Sequence, residues 1–140
     1  MPNRIVALAF GLSLCAAAAD VLPAQAARTI EVTVRANADA ARSRVVGVLV
    51  GQGLVVTIAQ GPVVQTAPYR FNPATTVVLT VNLIEQDSVT RVVLSGTYSI
   101  PTLGVRDEPM TETTSRLKGQ LWSWLKAIAE KIREAPADSL

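Results

Sequence analysis

This chain of 140 residues lacks the side chain that enzymes use most often for acid–base catalysis. The sequence contains no histidine, and Cys15 is its one cysteine. Histidine is the usual general base near neutral pH, and it completes the Ser-His-Asp and Cys-His arrangements of nucleophilic catalysis. The common zinc sites also depend on histidine or cysteine. We therefore expect neither these classes of enzyme nor a zinc centre.

Other routes to catalysis or phosphate binding are weakly indicated. Asp107 and Glu108 are adjacent carboxylates beside Pro109, and such neighbours on a surface loop are usually solvated rather than catalytic. The glycine-rich stretch 47–53, GVLVGQG, has neither the G-x-G-x-x-G pattern nor the lysine of a phosphate-binding loop. The sequence thus predicts no catalytic residue, no cofactor, no metal ligand and a protein that is not an enzyme.

Both tryptophans of the chain lie in the stretch 120–132, QLWSWLKAIAEKI. At 100° per residue, a helix here has one apolar stripe that we expect in the core: Leu117, Leu121, Trp124, Leu125, Ile128 and Ile132. Trp124 lies at one margin of the stripe and is expected to face the sheet. Trp122 lies about 160° around the helix from Trp124 and is expected at the rim. Lys118 and Lys126 flank Trp122, which would also suit an interfacial membrane anchor.

Two further aromatic residues, Tyr69 and Phe71, flank Arg70 in the segment 67–74, APYRFNPA. Two prolines and an asparagine mark this segment as a loop. The loop could contact a partner, or its two rings could plug the end of the core. Alternatively, an apolar pocket between sheet and helix could have tyrosines and Trp124 at its mouth. The candidate residues for contact with a ligand or partner are Tyr69, Phe71, Tyr98, Trp122 and Trp124.

The strands that would position these residues follow from alternation of apolar and polar side chains. Strands are predicted over 29–34, 75–85 and 89–100, with a bulge at Gly96. A further strand over 54–60 is broken by Gly61-Pro62 before a possible short strand. The segment 101–113 has no periodicity and is expected to be a loop.

Two helices are predicted. Asn37 caps a helix of about fourteen residues, which Gly51 and Gly53 end. A longer helix begins after Thr114 or Ser115 and runs to Ala135, where Pro136 stops it. The order β-α-β-β-β-α predicts an α+β fold of two layers. In it, an antiparallel sheet of about four strands is covered by the long C-terminal helix and the shorter N-terminal helix.

The first 26 residues have the order of a secretory signal peptide. Arg4 precedes an apolar run, and small residues lead to an A-x-A site that ends at Ala26. Cys15 in LSLC resembles a lipobox cysteine, but Leu14 stands where a small residue is required, so lipidation is not expected. We expect a signal peptide over 1–26, one domain over 27–136, a frayed tail over 137–140, and a periplasmic or secreted protein.

The stretch 31–66, EVTVRANADAARSRVVGVLVGQGLVVTIAQGPVVQT, resembles small helix-grip domains of the bacterial envelope. The C-subunit lipoprotein of the outer-membrane barrel-assembly machinery contains domains of this kind. Gly53-Leu54, Gly61 and Thr66 carry the likeness. The resemblance implies a helix-grip fold and an accessory role at the envelope, and it transfers no functional residue.

These observations lead to two functional expectations. The first is an exported, non-catalytic accessory or interaction domain of the cell envelope, with an envelope protein as its partner. The second is a carrier of a small hydrophobic or lipid-like ligand, held in the groove between the sheet and the C-terminal helix. The net charge of +2 gives no reason to expect nucleic acid, and membrane contact is expected to be peripheral at most.

Overall fold

The structure is a computed structural model that describes residues 26–136. The expectations for the leader, for lipidation of Cys15 and for the tail 137–140 lie outside the described residues. Within residues 26–136 the chain forms seven strands and two α-helices. In chain order they are β1 (Ile30–Val34), α1 (Ala38–Gly51), β2 (Val56–Gln60), β3 (Val63–Thr66), β4 (Tyr69–Asn72), β5 (Thr75–Gln86), β6 (Val89–Ile100), β7 (Val105–Pro109) and α2 (Arg116–Glu134). A single 3-10 turn, Pro101–Leu103, joins β6 to β7.

All the strands belong to one antiparallel sheet with the order β1-β6-β5-β3-β2. β5 and β6 form its long central hairpin. β4 pairs with β5 beyond the end of β3, and β7 pairs with β6 beyond the end of β1. The predicted α+β class is therefore confirmed, but the described sheet has seven strands where about four were expected.

The loop prediction over 67–74 is wrong, because this segment contains β4. Tyr69 pairs with Val77 and Arg70 pairs with Thr76. The two prolines do not interrupt the strand, since Pro68 precedes it and Pro73 lies in the turn that follows it. Prolines at strand ends are compatible with pairing, and the residues between them are good strand formers.

The loop prediction over 101–113 is also wrong in part, because residues 105–109 form β7. Gly104 reverses the chain with a φ of 68°, and Val105 then pairs with Ile100. The register shifts between Tyr98 and Ile100. Only Val105 in this strand is partly buried. An exposed edge strand needs no apolar alternation, so periodicity gives no signal for it.

The predicted bulge at Gly96 is not observed. Gly96 pairs with Leu79 within an uninterrupted register along the central hairpin. The residue after β7, Met110, donates its peptide N–H to the Gly96 carbonyl oxygen at 2.8 Å. A Cβ at position 96 would lie 2.9 Å from the Met110 sulfur. The glycine therefore allows a close approach of Met110, not a bulge.

Helix α1 agrees with its prediction at both ends. The Asn37 side chain accepts a hydrogen bond from the Ala40 N–H at 2.8 Å. At the other end, the Leu54 N–H donates to the Leu49 carbonyl oxygen at 3.0 Å, around Gly53 with a φ of 82°. Leu49 and Leu54 are both buried. This is a Schellman ending with its hydrophobic contact, and the left-handed residue is the glycine that the sequence indicated.

Helix α2 begins after Ser115, as predicted, and packs on β1 and β6 and along α1. Its buried residues are Leu121, Trp122, Leu125, Ile128, Ala129 and Ile132. They meet the inward side chains of the sheet, including Val34, Leu79 and Leu94, in one core. Neither described helix is both long and apolar enough to span a bilayer.

The other face of the sheet is not covered by a described helix. Most of its side chains are small and half-buried by their neighbours on the sheet, as with Val78, Thr80, Val93 and Ser95. Two larger apolar residues on this face, Ile58 and Ile84, are exposed.

Candidate aromatic and groove site

The two tryptophans lie on different sides of α2, and the structure corrects the prediction for one of them. Trp122, expected at the rim, is only 7% exposed and belongs to the core. Trp124, expected to face the sheet, packs on Tyr69 and Phe71 of β4 and is partly buried. The buried arc of α2 centres near Leu125, with Trp122 about 60° to one side and Trp124 about 100° to the other. The apolar stripe alone does not give this rotation, because it depends on the packing of α2 against β1, β6 and α1.

Three of the candidate aromatic residues meet at the solvent margin of α2. The Trp124 and Tyr69 rings are stacked, with centroids 5.7 Å apart and planes inclined by 8°. The Phe71 ring meets Trp124 edge-on, with centroids 5.5 Å apart. Each of the three is half-buried. We call Tyr69, Phe71 and Trp124 the aromatic cluster.

Arg70 does not join the aromatic cluster. Tyr69 and Phe71 both contact Trp124, so the side chain between them points to the other face of the sheet. Arg70 is exposed there and pairs with Thr76. The expected grouping of an arginine between two aromatic side chains at one contact surface is therefore not present.

Tyr98 is linked to the aromatic cluster through a row of paired residues across the sheet. Tyr69 pairs with Val77, Val77 pairs with Tyr98, and Tyr98 pairs with Glu108. Because paired residues of adjacent strands project from the same face, this row runs beneath α2. Tyr98 is only 4% exposed. Its side chain is one of those that line a groove between the sheet and α2.

This groove lies between the N-terminal end of α2 and the connection from β6 to β7, and we call it the α2 groove. Its volume is about 400 Å³. Its lining is mainly apolar: Tyr98, Ile100, Leu103, Val105 and Leu117, with Glu108, Ser115 and Lys118 as the polar members. Leu103 is 73% exposed and stands at its edge. Farther along the interface between α2 and the sheet, Leu121, Leu125 and Ile128 are at most 1% exposed.

Ser115 and Lys118 were not among the sequence candidates, although their S-x-x-K spacing is a recognisable signal. Ser115 occupies the N-cap position of α2, and its side chain makes no capping hydrogen bond. Lys118 is exposed, and the structure shows no hydrogen bond between the two side chains. A serine nucleophile needs an adjacent base to take its proton. The pair therefore gives the groove a hydroxyl and a cation, without the arrangement that activates a serine.

The carboxylates of β7 do not form an acid–base pair. Asp107 has a φ of 48°, and its N–H donates to the Ser99 hydroxyl oxygen at 3.0 Å. Asp107 and Glu108 are both exposed. Among residues 26–136, no three acidic, histidine or cysteine side chains come together as metal ligands.

Among residues 26–136, the side chains with shifted pKa values lie on the uncovered face of the sheet, away from the α2 groove. Glu31 of β1 accepts two hydrogen bonds from the Arg91 guanidinium on β6, at 2.6 and 2.8 Å. These bonds lower the pKa of the Glu31 carboxyl below its ordinary value. They also raise the pKa of Arg91. The pair joins β1 to β6.

Comparison with known proteins does not assign this chain to a family. No protein-family model matches the chain. A search of curated proteins finds no match either. Function must therefore be inferred from the aromatic cluster and the α2 groove themselves.

Proposed function

We propose that this protein is an exported, non-catalytic interaction domain of the bacterial cell envelope, which binds a partner protein through the aromatic cluster. The single observation that carries the proposal is the stacked pair Tyr69 and Trp124, with Phe71 against it, half-exposed at the margin of α2. Aromatic side chains are enriched at protein interfaces, because they bury a large area at little cost in side-chain entropy.

The packing of the three rings on one another supports this assignment. The rings come from β4 and α2, and each restricts the freedom of its neighbours. Side chains held in place in this way lose little freedom on binding, so more of their burial energy contributes to affinity. The export half of the proposal rests on the signal-like sequence 1–26.

A photo-reactive amino acid in place of Phe71, introduced in the producing organism, tests the proposal. We expect illumination to link the protein to one envelope protein. The matched control carries the same amino acid in place of Val50, which is 57% exposed on α1 and lies outside the aromatic cluster. Equal cross-linking from both positions, or none from position 71, would contradict the proposal.

Within the α+β class, the arrangement of the helices on the sheet supports a helix-grip fold. The long α2 lies across one face of an antiparallel sheet, and α1 follows the first strand. The C-subunit lipoprotein of the barrel-assembly machinery, to which the stretch 31–66 is similar, has helix-grip domains. We propose an accessory role at the envelope on the same basis.

The α2 groove favours a second candidate function, the binding of a small hydrophobic or lipid-like ligand. Its volume of about 400 Å³ is in the range of small-molecule sites, and most of its lining is apolar. Lys118 and Ser115 at its polar end could take the head group of an amphipathic ligand. Native mass spectrometry of protein purified from its own host would reveal a carried ligand.

A matched pair of exposed residues separates groove binding from general hydrophobic adsorption. Leu103 borders the groove, whereas Val55 is comparably exposed, at 65% against 73%, and does not line it. A fluorescent fatty-acid probe should bind the Leu103→Asp variant more weakly than the unmodified protein, and the Val55→Asp variant equally well. A similar loss in both variants would exclude the groove as the binding site.

A further inference from the structure

Strand β2 ends the sheet on one side, and none of the described strands pairs with its outer edge. Four of its five residues are exposed, and Ile58 is 44% exposed. An edge strand of this kind presents unpaired N–H and C=O groups, which are suited to pairing with another extended chain. A partner that binds at this edge must therefore supply an extended strand whose backbone N–H and C=O groups are free to pair.

No residue of β2 has the charge that usually protects an exposed strand, although a charge lies at the end of the strand, where Arg42 Nε donates to the Gly61 carbonyl oxygen at 3.0 Å. No charged residue lies between Arg44 and Arg70, a stretch that includes β2, its turn and β3. Charged side chains, particularly lysine, normally prevent edge-to-edge pairing. Within β2, the one described feature that hinders pairing with another strand is a bulge, where the register shifts between Val56 and Ile58.

The opposite edge of the sheet differs in chemistry. Strand β1 contains Glu31, which is paired with Arg91, and it is flanked by Arg28 and Arg35. A strand that added to this edge would meet these charges. β4 and β7, which also have one described partner each, contain charged residues as well, whereas β2 contains none. These differences favour β2 as the edge that is open to association.

We propose that β2 is the interface through which two copies of this chain associate, by antiparallel pairing of β2 with β2 of the second copy. Antiparallel pairing of identical strands is self-complementary about a two-fold axis. With the axis at Ile58, Val56 of one copy faces Gln60 of the other, and no charge opposes a like charge. The two sheets would then form one continuous sheet. This interface is separate from the aromatic cluster and from the α2 groove.

Sedimentation velocity of the full chain over about two decades of concentration tests this proposal. We expect the unmodified protein to sediment as a dimer at high concentration and to dissociate on dilution. The Ile58→Lys variant, which places a charge at the edge, should sediment as a monomer throughout. The matched control is Ile84→Lys, since Ile84 is similarly exposed at 40% on the same sheet face but lies in β5. It should dimerise as the unmodified protein does.

Two further measurements keep the proposal testable. The Gln60→Lys variant also places a charge on β2, but it removes no apolar side chain. It serves as the test variant if Ile58→Lys does not fold. Hydrogen exchange of the β2 amides should slow as the concentration of the unmodified protein rises. A monomer at every concentration would overturn the proposal, as would equal loss of the dimer in the Ile58 and Ile84 variants or a dimer whose β2 amides remain unprotected.

Discussion

Met110 lies directly over the backbone of Gly96, and their peptide groups are hydrogen-bonded at 2.8 Å. Both residues are buried, and a Cβ at position 96 would lie 2.9 Å from the Met110 sulfur and from Leu79 Cδ2. The contact closes the end of the core where β7 leads toward α2. A Cβ at position 96 would therefore force the ends of the Met110 and Leu79 side chains to shift within the core.

Gly96→Ala should therefore destabilise the protein by roughly 1–3 kcal/mol, because the new methyl group overpacks the core. Urea unfolding followed by circular dichroism measures the loss. The matched control is Gly47→Ala in α1, where a Cβ would meet no neighbouring atom. That variant should gain about 1 kcal/mol from helix propensity. A neutral Gly96→Ala variant would contradict the predicted overpacking and would show that the Met110 and Leu79 side chains shift at little cost.

Thr66 completes the hydrogen bonding of β5 at the point where β3 ends and β4 has not yet begun. Its hydroxyl oxygen accepts a hydrogen bond from the buried Leu79 N–H at 3.0 Å. Thr66→Val keeps the shape of the side chain and leaves that N–H unpaired, so we expect a loss of about 1–3 kcal/mol. Thr66→Ser retains the hydroxyl and should lose less. A Val variant as stable as the Ser variant in urea unfolding would show that the hydrogen bond is unimportant.

The different burial of the two tryptophans predicts distinct fluorescence. In the Trp124→Phe variant the remaining emission comes from Trp122, which is 7% exposed. It should be blue-shifted and poorly quenched by acrylamide, since the indole is away from water. In the Trp122→Phe variant the emission of Trp124 should be at longer wavelength and more strongly quenched. The reverse order would restore the arrangement expected from the sequence.

Substitution of each tryptophan by alanine should lower the free energy of unfolding by a different amount. Trp122→Ala leaves a cavity in the core and is expected to cost about 3–5 kcal/mol. Trp124→Ala removes a half-buried ring stacked on Tyr69, and roughly 1–2 kcal/mol is expected. Thermal unfolding of both variants provides the comparison. A larger loss from Trp124→Ala would be inconsistent with the observed rotation of α2.

The ion pair of Glu31 and Arg91 predicts a pH dependence of stability. Its hydrogen bonds lower the folded-state pKa of the Glu31 carboxyl below the ordinary value of 4.5. The free energy that the pair contributes is therefore present above the unfolded pKa, and it is lost as the pH falls through the lowered folded pKa. The stability difference between the unmodified protein and Glu31→Gln should be constant near neutral pH and should shrink in acid.

Salt provides a second check on this pair. Because both side chains are partly exposed, added salt should reduce their contribution at neutral pH. Arg91→Gln is the companion variant, and it should give a difference with the same acid dependence. A stability difference that is unchanged between neutral and acid pH would rule out this role for the pair.

Capping and alternation patterns predicted an element correctly where the pattern lies within the residues of that element. The cap at Asn37 and the left-handed Gly53 bounded α1, since both effects act within one helical turn. Alternation identified β5 and β6, because each buries one face. The same rules failed for β4 and β7: β4 is flanked by prolines, and β7 buries almost nothing on either face.

From sequence alone, the α+β class, both helices, the long central hairpin and four buried residues of α2, Leu121, Leu125, Ile128 and Ile132, were determined, since periodicity and capping depend on neighbours along the chain. Only the tertiary structure decided which tryptophan is buried, that Tyr69 and Phe71 meet Trp124, and that Ser115 and Lys118 border the α2 groove. These relations depend on the rotation of α2 and on which strands pair. Both are set by contacts between residues distant in the chain, and no local pattern specifies them.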